Sequence, residues 1–284
     1  MEKAIQKSVV LIEALPYIKR FYGKVVVIKY GGSSLGDRKV TAGLLEDIVF
    51  MSYAGMKPVL VHGGGPRISK AMKKLGKVPR FVDGQRVTDR ETVHLVDREL
   101  SEVNRSLVAE IKRMGGRSYG LSGRDSGLIT AKKIRADVDL GFVGEVARVD
   151  TTLLDRLLDA GIIPVVSPVG RGRDGELYNI NADSSAARIA SALKAEKIFV
   201  LTNVRGVLKN AKDQSSLYHN LRSKEVRRLI KGKIVSGGMI PKVDACLVAL
   251  KGGVRKAHIV SAALPHSLLL EIFTREGIGT EITK

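Results

Sequence analysis

Two apolar, β-branched runs each stop on a glycine turn, and this arrangement restricts the fold more than any other feature of the sequence. Lys24–Tyr30 (KVVVIKY) ends at Gly31-Gly32, and Pro58–His62 (PVLVH) ends at Gly63-Gly64-Gly65. Apolar runs without polar alternation predict strands buried on both faces, the condition of a parallel sheet. Helical spacing follows each turn: Leu44, Leu45, Ile48, Val49 and Met51 run up to Gly55, and Pro66 suits the first turn of a second helix. Arg90 to Met114 predicts a long helix ended by Gly115-Gly116. Strand-like runs recur at Ile162–Val166, Lys197–Leu201 and His258–Val260. Strands alternating with helices predict an α/β fold, with a mostly parallel sheet and helices on both faces. Ser167–Tyr178, where Gly170, Gly172 and Gly175 cluster with charges, reads as a loop at a lobe boundary.

At 284 residues the chain sits near the upper limit of one core, so a single large unit or two lobes is expected. Its one cysteine, Cys246, excludes an internal disulfide, lies in an apolar helix and reads as inert. No apolar run approaches the roughly 20 residues of a membrane span. Ser8–Ile12 is interrupted by Glu13 and is too short for a secretory signal, so a cytoplasmic protein without membrane partners is expected. The formal net charge is +19, with fifteen basic against six acidic residues in 201–284. Such a field favours anionic partners. Zinc-finger spacing is absent and the basic stretch 205–233 has one aromatic, Tyr218, which argues for small anions and against nucleic acid.

The two turns offer unobstructed backbone N–H groups at helix N-termini, an anion-binding arrangement, although either turn is also what a plain tight turn requires. Lys29 stands two residues before Gly31, at the carboxyl end of its strand, where α/β sheets bind ligands. Neither turn has Rossmann or P-loop spacing. Gly32-Ser33-Ser34-Leu35-Gly36 satisfies a hydrolase nucleophile pattern, but the glycines resembling an oxyanion loop, Gly63–Gly65, come after it, the wrong order. Tyr178-Asn179-Ile180-Asn181-Ala182-Asp183 opens an Ala/Ser-rich helix; either Asn181 or Asp183 suffices as a cap, and the remainder can bind a polar substrate. Gly237-Gly238-Met239-Ile240-Pro241-Lys242 places a lysine against a helix dipole, which suggests a duty other than stability. The five histidines show no metal-ligand spacing, and no metal site is expected. Near the N-terminus Ile5, Val9 and Ile12 form an apolar stripe for its own domain or for a partner, and Pro16 is expected to kink or end that helix.

IKYGG (28–32), VHGGGP (61–66), GQRVTD (84–89), GLSGRD (120–125), DLGFVGEV (139–146), YNINAD (178–183), GGMIPKV (237–243) and EIFTREGIGT (271–280) together resemble the acetylglutamate kinases of the amino-acid kinase superfamily. The likeness runs in order from about residue 10 to 281. It implies an αβα sandwich with a mostly parallel central sheet, the amino-acid kinase fold. Residues 1–20 would form an oligomerisation helix, 21–177 an acyl-amino-acid lobe and 178–284 an ATP lobe. The implied reaction moves the γ-phosphoryl of ATP, bound with Mg²⁺, onto the side-chain carboxylate of N-acetyl-L-glutamate in arginine biosynthesis. By this resemblance Lys29 and Lys242 contact the transferring phosphoryl and Asp183 orients both. Gly64, Gly65, Arg86 and Asn179 would hold the substrate. Gly31, Gly32, Thr202, Asn203, Gly206 and Gly238 would hold the nucleotide and its phosphates. Tyr17, His258, Glu271 and Gly277 match positions of an L-arginine effector site, and the N-terminal helix implies a hexamer, a trimer of dimers. Asn203 stands where aspartate is frequent in the family, and Ser33 where asparagine is common. The alternatives are an acetylaminoadipate kinase, whose substrate is one methylene longer, and a non-enzymatic module binding anions or nucleic acid.

Overall fold

The first helix, α1 (Glu2–Phe21), runs through Pro16, so of the two outcomes the proline predicts, the ending is overturned. Proline removes one amide donor and crowds the carbonyl four residues back; that residue, Ile12, is exposed to solvent, which can solvate the freed carbonyl. The computed structural model describes residues 2–210, 212–274 and 277–284, with side chains from Val9 onward except Ser33, so Ile5 of the stripe lies outside the described side chains. Val9 and Ile12 are exposed and do not pack on their own subunit. Among the described side chains the helix is anchored at its end, by buried Phe21 and by Tyr17 edge-on to Phe273 at 6.1 Å.

The chain then builds β1 (Val25–Tyr30), a 3₁₀ turn at Gly32–Gly36, α2 (Arg38–Tyr53), β2 (Lys57–His62) and α3 (Gly65–Lys74). Asp37 caps α2 by accepting from the amides of Lys39 and Val40. A short hairpin, β3 (Phe81–Val82) and β4 (Gln85–Arg86), turns at Asp83-Gly84, both at positive φ. There follow α4 (Arg90–Arg113), β5 (Ser118–Ser122), β6 (Ile129–Lys133), β7 (Val143–Val149), α5 (Thr152–Asp159), β8 (Ile163–Ser167), β9 (Val169–Gly172) and β10 (Leu177–Ile180). The remainder is α6 (Ala182–Ala192), β11 (Lys197–Thr202), β12 (Asn220–Arg222), α7 (Ser223–Lys231), α8 (Ile240–Lys251), β13 (Lys256–Ser261), α9 (Ser267–Phe273) and β14 (Thr280–Thr283).

Eight strands form one sheet in the order β12-β14-β13-β11-β1-β2-β8-β5. It is parallel from β13 to β5, and β14 turns back antiparallel to β13. Alternate residues of β1 feed opposite cores: Val27 faces the α6 and α8 side, while Val26, Ile28 and Tyr30 face α2. Both faces are covered, which explains why β1 reads as an unbroken apolar run. The αβα sandwich with a mostly parallel sheet is thus the observed architecture.

The Ser167–Tyr178 stretch is a correction. It is not a loop but the antiparallel pair β9–β10, which closes a small barrel with β6 and β7. Gly170 serves packing, since a Cβ there would lie 2.8 Å from the side chains of Ala131 and Ile180, whereas Gly175, at φ +83, serves the turn between the two strands. None of the described helices is long and apolar enough to cross a membrane.

Candidate active site

Asp183 occupies the first turn of α6, and the local sequence frees it from capping. The Asn181 carboxamide oxygen takes that duty, accepting from the amides of Asp183 at 2.8 Å and Ser184 at 3.2 Å. The Asp183 carboxylate instead stands between two lysines from different elements. Lys29, near the end of β1, lies 2.8 Å from Oδ1, and Lys242, in the first turn of α8, lies 3.2 Å from Oδ2. Burial pushes the Asp183 carboxyl up, but the Lys29 and Lys242 ammoniums outweigh it and hold the group below the usual carboxylate range. Burial lowers the Lys29 ammonium; Asp183 opposes this and the positive charge of Lys242 adds to it. Two cations against one anion leave a buried positive excess suited to an incoming phosphoryl group.

Two cavities adjoin this cluster. One, of about 430 Å³, brings together Gly31, Gly32, Thr202, Asn203, Gly206 and Gly238, with Lys29 and Lys242 at its inner end. The other, of about 190 Å³, is lined by Gly64, Gly65, Arg86, Asn179 and Asp183. Lys29 and Gly32 line both. The residues chosen from the sequence for phosphate line the first cavity and those chosen for substrate line the second, with Gly32 shared. Arg86 is held ready by the Gly65 carbonyl at 3.0 Å and the Ser69 hydroxyl at 2.8 Å, and its guanidinium lies 4.6 Å over the Phe81 ring. A Cβ on Gly64 would meet Leu100 Cδ2 at 2.7 Å, so a side chain there requires Leu100 to shift.

Residues that sequence reasoning missed support these walls. His62 is fully buried and its pKa falls to about 4 through burial, so it is neutral. The Asn104 carboxamide donates to Val165 O at 2.8 Å and lies 3.1 Å from His62 Nε2, tying α4 to the end of β2 and the middle of β8. A helical asparagine carries no sequence signal for such a brace.

A third cavity, also about 430 Å³, lies at the base of α1 and is lined by Tyr17, Glu271 and Gly277. His258 does not line it. It is buried behind, with Nδ1 2.8 Å from Glu271 Oε1 and Nε2 3.2 Å from Lys197 Nζ. Burial holds His258 below its ordinary value, so the neutral ring donates to Glu271 and accepts from Lys197. Lys197, also missed in the sequence, lines the cavity; burial lowers its pKa to about 8, against the pull of Glu281. Gly277 has φ +62, and a Cβ there would come 3.0 Å from Glu271 Oε2.

Among the described residues no group of three or more His, Cys, Asp or Glu is placed to hold a metal ion. A buried carboxylate braced by two ammoniums, flanked by two glycine turns at the carboxyl ends of parallel strands, is the apparatus of a phosphotransferase. Residues 24–261 match the amino acid kinase family model, and the chain belongs to that family. It is 49% identical to the acetylglutamate kinase of Pelotomaculum thermopropionicum over 98% of both chains, and 46% identical to that of Methanocaldococcus jannaschii over 100% of this chain and 98% of the relative. Within the family it therefore groups with the acetylglutamate kinases. Among solved structures, N-acetylglutamate synthase from Neisseria gonorrhoeae, complexed with coenzyme A and N-acetyl-glutamate, superposes with a TM-score of 0.87 at 28% identity. That match covers 98% of this chain but 63% of the synthase, so the present chain spans under two thirds of its length. The same synthase complexed with L-arginine gives a TM-score of 0.83 at 28% identity, over 98% of this chain and 65% of the synthase.

Proposed function

We propose that the protein transfers the γ-phosphoryl group of MgATP to the side-chain carboxylate of N-acetyl-L-glutamate. The observation that carries this reading is the Lys29–Asp183–Lys242 cluster where the two cavities meet. A carboxylate oxygen of the substrate forms the new bond to phosphorus, the bond from the γ-phosphorus to the bridging oxygen breaks, and ADP leaves with the electron pair. A substrate carboxylate is already ionised at neutral pH, so no general base is needed. The residues have only to align donor and acceptor and to stabilise the charge on the equatorial oxygens. Lys29 and Lys242 supply that charge, and Asp183 fixes their separation. Arg86 pairs with a substrate carboxylate through its planar fork, and Asn179 holds the acetylamino end.

The nucleotide takes the larger cavity against Gly31, Gly32, Thr202, Asn203, Gly206 and Gly238. Mg²⁺ enters on the phosphates as part of the substrate. This fits the donor set: both Asp183 oxygens face ammoniums, and Asn203 offers an amide in place of a carboxylate, so the ion keeps phosphate and water ligands. On this reading residues 21–177 bind the acyl amino acid and 178–284 the nucleotide.

The third cavity suits L-arginine: the Glu271 carboxylate faces the guanidinium and Lys197 the α-carboxylate. The structural relative complexed with L-arginine supports this assignment. The exposed apolar stretch of α1 joins dimers into a hexamer. The direct experiment is an ATP-dependent acyl-phosphate assay, trapped as hydroxamate, on acetylglutamate, acetylaminoadipate, glutamate and aspartate. Activity greatest on acetylglutamate is expected. Preference for acetylaminoadipate reassigns the acyl chain, and inactivity on all four points to a binding module.

A further inference from the structure

We infer that Thr88 is a positioning residue that fixes which face of the Asn179 carboxamide meets the substrate, and so makes the enzyme read the amide N–H of its acyl amino acid; this rests on the function proposed above. The Thr88 side chain is fully buried between the two substrate-contacting residues. Its Oγ1 lies 2.6 Å from the Arg86 carbonyl and 3.2 Å from Asn179 Nδ2. A hydroxyl has one proton and a carbonyl can only accept. That proton therefore goes to Arg86 O, and Thr88 can only accept from Asn179. The Asn179 nitrogen is held toward Thr88, and its oxygen, which takes no hydrogen bond among the described residues, is left for the cleft it lines.

The backbone makes this arrangement rigid. The amide of Phe142 donates to Thr88 O at 2.7 Å, and the amide of Asn179 donates to Phe142 O at 2.9 Å, so the three residues share one ledge. Gly141, at φ +72, permits it: a Cβ there would collide with the Thr88 carbonyl. Thr88 thus cannot withdraw from Asn179 without breaking the barrel register. An acceptor fixed in the cleft favours a ligand with an N–H at that place and disfavours one presenting a lone pair, because a buried acceptor facing an acceptor loses its hydrogen bond.

The test compares N-acetylglutamate with 2-acetoxyglutarate, in which an ester oxygen replaces the N–H. The wild type is expected to show a Michaelis constant ~10-fold higher for the ester. In Thr88→Val the carboxamide is free to turn, and the gap should collapse to within about 2-fold, with the constant for ATP unchanged. Thr88→Ser keeps the hydroxyl and should keep the wild-type gap. If Thr88→Val does not fold, Thr88→Ala carries the same expectation. A valine or alanine variant with the full gap, a serine variant that loses it, or a wild type without a gap overturns the proposal. A wild type that phosphorylates neither acid overturns the underlying function instead. A purely structural role for Thr88 would move both acids together.

Discussion

Gly31 and Gly63 stand back to back where the first two strands end. A Cβ on Gly31 would lie 3.2 Å from Gly63 N and 3.3 Å from Gly63 Cα, and the Gly63 amide donates to the Tyr30 carbonyl at 2.8 Å. Gly31 has φ 172, extended backbone open to any residue, so the requirement is for space and not for conformation. The two turns are one unit, and displacing one displaces the donors of the other. Gly31→Ala should therefore lower turnover by about 10-fold or more, through misplacement of the reacting groups, while stability changes by only ~1 kcal/mol. Steady-state kinetics beside a thermal melt measure both. Unchanged turnover would mean that the turns act independently.

Lys29→Met and Lys242→Met should each lower turnover by roughly 10² or more, because the charge they meet develops during transfer. Binding of MgATP, measured by titration calorimetry, should weaken far less. Near-wild-type turnover in both variants would remove the pair from the mechanism. The two variants should differ in stability, Lys29→Met losing more: each lysine faces one oxygen of the Asp183 carboxylate, and Lys29 is the more deeply buried of the two.

The sequence carried the sheet's interior and the residues of the Lys29–Asp183–Lys242 cluster, and missed what holds them up. β1, β2, β8, β11 and β13 are buried on both faces, so their residues are mostly apolar, with the polar ones gathered toward the strand ends apart from His258. The barrel strands β9 and β10 have four residues each, and β9 carries two glycines that packing demands, so the stretch reads as loop. Pro16 was misleading because an exposed helix can tolerate proline where a buried one cannot. Lys29, Asp183 and Lys242 were legible because each is a polar residue where strand or helix economy calls for none. Thr88, His62, Asn104 and Lys197 act through partners distant in sequence, and no local pattern marks them.

Arginine inhibition should depend on pH through Lys197. With its pKa lowered by burial to about 8, the ammonium is charged below that pH and neutral above it. Attraction for the α-carboxylate of arginine is therefore full near pH 7 and fades as pH rises through 8, with bound ligand shifting the loss somewhat higher. Half-inhibition concentrations between pH 7 and 9 should rise for the wild type. Lys197→Met should be weakly inhibited at every pH and show a flatter profile; a variant with the wild-type profile would free Lys197 of this role.

Deleting residues 1–15 tests the oligomer and its regulation together. Four consecutive apolar residues of α1, Val9 to Ile12, are 49 to 69% exposed, and Leu15 adds to them. Exposed apolar surface of this kind is suited to a second subunit. The cut leaves Tyr17 against Phe273 and Phe21 in its core. Arginine bound between Tyr17 and Glu271 would touch both α1 and α9, and so would bias how dimers meet through the helix. The truncated protein should run as a dimer by light scattering, retain its turnover without arginine and need severalfold more arginine for half-inhibition. A truncated protein that stays hexameric and fully arginine-sensitive would show that α1 neither joins the dimers nor carries the effect.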